Sequence, residues 1–308
     1  VNAAADGRLP AQGGRLDLLQ DFRPAAEVLE RTGLTMAEQL AGSYGAIAVC
    51  PSKNKMQTLG WVAEALSHLE PDGVLLLAAA NSYGAKSYEK LLAMAGSVGS
   101  TSKAKCRIMR LRPTSGSDHA VVDGWRQAAE PRRQVESGLW SAPGLFSWEH
   151  PDTGSALLLK QLPEKLSGSG MDLCCGYAFL AVNLLQAHPG ISRLHLLDAD
   201  RLALAMAGRN CEEFGEKVTP HWRDAAREAL PKGLDWIVCN PPFHAGQERD
   251  VELGQMIVAN ACNSLRLGGT LYLVANRKLP YETVLNERLR EVRVLTQQQG
   301  YKVLEGVK

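Results

Sequence analysis

The 308 residues are 45% hydrophobic and 22% charged, with a formal net charge of +1, a balance that suits a folded chain with room for two cores and argues against extensive disorder. So small a charge does not advertise a polyanion partner, and no apolar run approaches the roughly 18 residues of a membrane span. Seven cysteines with no CxxC pair argue against a disulfide framework and a zinc site; with no signal-peptide pattern, the expectation is a cytoplasmic monomer without metal or membrane.

In chain order, "GAIAVCPSKN" (residues 45–54) is an apolar run stopped by a proline-containing turn. "ALSHLEPDGVLLLAAAN" (65–81) reads as a helix end, a glycine turn and a buried strand closing on Asn. "KCRIMRL" (105–111) ends this half as a strand. Residues 113–139 are polar and rich in Gly, Pro and charge, the composition of a linker. The chain is accordingly divided into residues 1–128 and 129–308.

The second half alternates strand and helix. Strands are predicted at 170–174, 193–198, near 217–222, at 234–239 and at 270–275. Helices are predicted at 178–187, 201–214 and about 250–266, and a hairpin at 291–296 and 301–306. Strands separated by helices imply a parallel, doubly wound sheet, and the hairpin adds an antiparallel strand. Three segments echo the first half: "DWIVCNPPFH" (235–244), "ACNSLRLGGTLYLVAN" (261–276) and "YKVLEGV" (301–307). Agreement in order, type and spacing points to a duplicated α/β domain.

In doubly wound sheets ligands sit beyond the carboxyl ends of the strands, and there this half carries its unusual residues. After the first strand, "DLCCGYA" (172–178) offers Gly176 for close backbone approach at the start of a helix. It is not GxGxxG, so a dinucleotide oxidoreductase is a weak reading. After the second strand, Asp198 stands where a carboxylate can accept from both hydroxyls of a ribose; after the third, Asp224 can reach an adenine amino group. Either acid alone could merely cap the helix behind it. "NPPFH" (240–244) is the sharpest signal: two prolines stiffen the turn and leave backbone carbonyls without local N–H partners. The Asn240 side chain adds an acceptor and Phe243 a flat apolar face, which suits a planar amino group on a ring.

Together these residues resemble S-adenosylmethionine-dependent methyltransferases that modify exocyclic amino nitrogens. "NPPFH", "LPYETVL" after the fifth strand and a closing "YKV" resemble more narrowly the RsmC/RlmG ribosomal RNA guanine-N2 methyltransferases. "PSKNK" (51–55) and "APGLFSWEHPDTGSALLL" (142–159) extend the likeness over nearly the whole chain. The resemblance implies two tandem Rossmann-like methyltransferase domains, each a doubly wound, mostly parallel sheet with a C-terminal antiparallel hairpin strand, the first copy degenerate. It implies S-adenosylmethionine as cofactor, ribosomal RNA or a ribosomal subunit as partner, and a guanine N2, in small-subunit (16S) rRNA, as methyl acceptor. Asn240, Pro241, Pro242 and Phe243 become the catalytic candidates, and Asp172, Cys174, Gly176, Asp198, Asp224 and Asn240 the cofactor candidates. The family loop reads Asp-x-Gly-Cys-Gly-x-Gly; here Cys174 and Ala178 replace the outer glycines. Ala178, at the helix start, is expected to favour the helix, while Cys174 is expected to strain a backbone that wants positive φ.

The first half lacks this equipment: Cys50-Pro51-Ser52-Lys53 stands in place of Asn-Pro-Pro-Phe. Its "KAKCRIMRLR" (103–112) holds Lys103, Lys105, Arg107, Arg110 and Arg112 and no acid, a candidate phosphate-backbone contact or, equally, an edge strand guarded by charge. Two alternatives stay open on the sequence: a non-catalytic RNA- or ribosome-binding protein with a decayed cofactor site, and a protein-glutamine methyltransferase using the same loop.

Overall fold

In a computed structural model the described residues are 1–3, 16–34, 36–114, 116–242 and 248–308, with the backbone alone for 248–250. They divide into two units, residues 1–131 with 142–144 and residues 132–141 with 145–308.

The first unit holds α1 (Arg23–Arg31), β1 (Tyr44–Val49), α2 (Lys55–Ser67), β2 (Leu69–Ala80), α3 (Ala85–Leu92), β3 (Ser97–Lys103), β4 (Cys106–Arg112) and α4 (His119–Ala129). Its sheet runs β1-β2-β4-β3, the first pair parallel and the other two antiparallel. Alternate strand residues Ile47, Val49, Leu75, Leu77, Met109 and Leu111 form the core with Val62, Tyr88, Leu92 and Trp125 from the helices, as the period of two in a strand requires. Ahead of β1 the described residues form α1 and one isolated parallel bridge, Leu18 to Met36.

The second unit holds β5 (Arg132–Arg133), β6 (Trp140–Ser141), α5 (Thr153–Leu159), β7 (Gly168–Leu173), α6 (Phe179–Ala187), β8 (Ile191–Asp198), α7 (Arg201–Asn210), β9 (Val218–Trp222), β10 (Leu234–Cys239), α8 (Glu248–Ser264), β11 (Leu265–Asn276), α9 (Tyr281–Arg288), β12 (Glu291–Gln298) and β13 (Tyr301–Val307). Seven strands run β12-β13-β11-β10-β7-β8-β9. The five strands β7 to β11 pair in parallel and the closing hairpin antiparallel, the α/β plan expected from the sequence. Alternate residues serve opposite faces: Trp236 and Val238 join one core, Ile237 and Cys239 the other. Gly170 sits across from Trp236, where a Cβ would lie 2.3 Å from the indole; no larger residue fits there. The helix expected over 201–214 stops at Asn210, and a 3-10 segment, Glu212–Lys217, follows with Gly215 at φ 54°.

The internal repeat is visible strand by strand. Order β1-β2-β4-β3 in the first unit matches β10-β11-β13-β12 in the second. The register even slips at the same place, between Tyr44 and Ala46 in one and between Leu234 and Trp236 in the other.

Candidate active site

The parallel strands leave the sheet in two directions: β7, β8 and β9 step one way, β10 and β11 the other. The crevice between the ends of β7 and β10 is therefore the topological switch point where such sheets bind ligands. Leu173 pairs with Cys239 in register, which sets Cys174 beside Asn240. A small cavity of about 40 Å³, partly open to solvent, lies there, lined by Phe146, Asp152, Ser155, Cys174, Gly176 and Asn240 among others.

The loop after β7 is tied to β8: the N–H groups of Cys174 and Cys175 donate to the Leu197 carbonyl at 2.8 and 3.1 Å. Gly176, at φ 54°, has nothing within 4 Å of where a Cβ would stand, so its bare backbone faces open space. Cys174 adopts φ 62°, the positive value anticipated for it. Ala178 corrects the expectation. It is not helical but the left-handed N-cap of α6, at φ 70° and ψ 34°, so the loop places two non-glycine residues where the family pattern has glycine. Both thiols are held toward the neutral form: a hydrogen bond with Cys239 and burial push Cys174 well up, and burial followed by the charge of Asp198 does the same to Cys175.

The acidic candidates separate into three environments. Asp198, half-buried at the end of β8, accepts from the N–H of Gly176 at 2.8 Å and of Asp200 at 2.9 Å. Each carboxylate oxygen retains a further lone pair, and burial raises the group's pKa. Asp224 is 4% exposed; its Oδ1 accepts from Ala226 N–H at 2.9 Å, while Oδ2, buried without a hydrogen bond, is ion-paired with Arg227 Nη1 at 3.6 Å. None of the three acids lines the cavity itself, and Asp172 lies deepest. Fully buried, it accepts from Ala181 N–H at 3.0 Å through Oδ2 and leaves Oδ1 unsatisfied. Burial first, and then the neighbouring Asp198, push its pKa to about 7, against the Ala181 hydrogen bond. Its evident task is to hold α6 onto β7.

Asn240 is fixed from a direction the sequence does not announce. Its Nδ2 donates at 2.9 Å both to Asp152 Oδ2 and to Ser155 Oγ, in the first turn of α5. Both amide hydrogens are used, so the end left for a ligand is the carbonyl. Pro241 is buried and Pro242 exposed; Phe243 and His244 lie outside the described residues. Phe146, by contrast, is 62% exposed on the cavity. Phe146, Asp152 and Ser155 carry no role in the sequence reading. The Pro-Asp-Thr-Gly-Ser run before an apolar stretch marks a helix start, and it contains no sign that this start faces Asn240.

In the first unit, Lys103, Lys105, Arg110 and Arg112 are exposed on the β3–β4 hairpin and Arg107 is ion-paired with Glu89. Among the described residues no helix is long and apolar enough to cross a membrane, and no group of three or more His, Cys, Asp or Glu could hold a metal ion.

The family model of the methyltransferase small domain matches residues 136–305. A ribosomal RNA small subunit methyltransferase C of Hahella chejuensis is 33% identical over 204 residues, covering 66% of this chain and 59% of that protein. The protein of the same name from Shewanella pealeana is 31% identical over 249 residues, 79% of this chain and 72% of its own. A T. thermophilus 16S rRNA N2 methyltransferase (RsmC), solved with AdoMet and guanosine, superposes with a TM-score of 0.77 at 25% identity, covering 98% of this chain and 83% of that one.

Proposed function

The chain belongs to the methyltransferase small domain family, and we propose that it uses S-adenosylmethionine to methylate the N2 amino group of a guanine in small-subunit ribosomal RNA. What supports this reading most directly is the Asn240 amide, held by its NH2 group at the switch point of the sheet so that an acceptor faces the cavity.

The residues fit the cofactor. Asp198 has lone pairs left for two ribose hydroxyls, and Asp224 Oδ2, ion-paired with Arg227 but not hydrogen-bonded, has acceptor capacity left for an adenine amino group. The open backbone at Gly176 receives the methionine end. When bound, S-adenosylmethionine supplies a sulfonium-held methyl carbon, which the N2 lone pair takes as the carbon–sulfur electron pair returns to sulfur and an N–H proton leaves for water. Asn240 Oδ1 and the Pro241 carbonyl accept from the N2 hydrogens. Acceptors on both hydrogens favour a nitrogen moving from planar toward tetrahedral, so they act more strongly on the transition state than on the ground state. The base must leave its stack to reach them, and the exposed ring of Phe146 gives it a face. Holding nitrogen in line with the methyl group supplies the rest by proximity. The exposed cations of the β3–β4 hairpin contact the RNA backbone.

Incubation with methyl-labelled S-adenosylmethionine and 16S rRNA, free or in the small subunit, followed by digestion and mass spectrometry, should return N2-methylguanosine. Label on a protein glutamine, or no cofactor binding at millimolar concentration, would refute the proposal.

A further inference from the structure

An amide accepts a hydrogen bond at one end only, and the two ends of Asn240 are nearly the same size and shape. We infer that Asp152 is a positioning residue that, with Ser155, decides which end of Asn240 meets the base; the inference rests on the acceptor role proposed for Asn240.

The argument is one of donors and acceptors. An ionised carboxylate accepts and never donates. Asp152 Oδ2 already takes the N–H of Ser155 at 2.7 Å, capping α5, and takes the Asn240 NH2 at 2.9 Å with the same oxygen. Turning the amide over would set its carbonyl oxygen against that carboxylate, so the charge of Asp152 forces the NH2 inward and the carbonyl toward the cavity. Ser155 Oγ takes the second amide hydrogen at 2.9 Å, which fixes the plane as well as the direction. Donation to a carboxylate also pushes electron density onto the far oxygen of the amide, strengthening it as an acceptor. Gly154 keeps the place open: a Cβ there would stand 3.0 Å from Asp152 Oδ2 and 2.9 Å from the Tyr301 ring.

Asp152→Asn tests this without threatening the fold, because Asn matches Asp as an N-cap but offers an NH2 as readily as an oxygen. With 16S rRNA and saturating S-adenosylmethionine, kcat should fall about tenfold to a hundredfold, while calorimetry finds the cofactor Kd within about threefold of wild type. Ser155→Ala leaves the carboxylate in place and should lower kcat less, by about threefold. The deciding measurement is a double-mutant cycle: in the Asn240→Ala background, Asp152→Asn should lower kcat no further. A wild-type kcat for Asp152→Asn, a loss confined to cofactor affinity, or an undiminished loss in the Asn240→Ala background would each overturn the positioning role. A wild-type rate for Asn240→Ala by itself strikes at the acceptor reading instead, so the two failures are told apart.

Discussion

The end of β1 and the end of β10 are the same place in two copies of one fold, and they have been put to different uses. The copies share small irregularities as well as strand order. Gly73 and Gly269 occupy equivalent kinks: a Cβ on Gly73 would meet the carbonyls of Glu70 and Tyr44 at 2.9 and 3.1 Å, and one on Gly269 those of Leu234 and Arg266 at 2.7 and 3.0 Å. Both hairpins turn through two residues of positive φ, Ala104 and Lys105 in one and Gln299 and Gly300 in the other. At the strand ends the likeness stops. The Cys50 carbonyl is taken by Asn2 Nδ2 at 3.0 Å, the Ser52 N–H by Thr58 Oγ1 at 3.0 Å, and Asn54 caps α2. The polar groups of the first loop are consumed by the protein itself, whereas the second loop ties down the donors of Asn240 and keeps an acceptor over.

The hairpins diverge in the opposite sense. In β12–β13, Arg293 pairs with Glu305, and the buried Lys302 donates to Glu282 and to the Leu279 carbonyl. In β3–β4, four of five cations stand exposed with no acid on the hairpin. One copy leaves an acceptor over in its loop and neutralises its hairpin; the other closes the loop and leaves its hairpin charged.

Exchanging the loop residues should break the comparison most strongly. Asn240→Cys, which gives the second copy the residue of the first, is expected to lower kcat about a hundredfold to a thousandfold; Cys50→Asn should leave methyl transfer unchanged in the same assay. The shared kinks come next. Gly73→Ala and Gly269→Ala should each lose about 1–3 kcal/mol in urea unfolding, because a methyl against backbone carbonyls forces a shift; a loss in one alone would mean that the kinks are not equivalent. Replacing Lys103, Lys105, Arg110 and Arg112 by Ser should raise KM for RNA about tenfold and flatten its dependence on log salt by up to about three units. An unchanged salt slope would take RNA contact away from this hairpin.

Much of this was legible in the residues. Period-two runs set the strands, Gly and Pro marked the turns, and Asn-Pro-Pro at a strand end announced the loop. What was hidden depends on distance or on the backbone. Asp152 and Asn240 are 88 positions apart, and only the folded sheet brings the first turn of α5 over the end of β10. Asp172 reads as a ligand-facing acid because it closes a strand; its side chain instead turns inward to the N–H of Ala181. Ala178 reads as a helix residue because alanine favours helices, yet propensity yields here to a loop that demands positive φ.

Cys174 and Ala178 offer the finest test, since both stand in left-handed backbone at φ 62° and 70° and differ in what their side chains touch. Such a conformation costs a non-glycine residue about 1–2 kcal/mol, part of which glycine returns through its greater freedom when unfolded. Ala178→Gly should therefore change stability by less than about 1 kcal/mol, and since Ala178 is fully buried and does not line the cavity, cofactor affinity should hold. Cys174 is half-buried and does line it, with its thiol against Cys239, so glycine there would leave more room beside the ligand. Cys174→Gly should tighten S-adenosylmethionine binding by up to about tenfold, close to 1.4 kcal/mol, in calorimetry run on both variants. If Ala178→Gly tightens binding as much, the strain of the loop and not the thiol sets the affinity, and the replaced glycines act through the backbone alone.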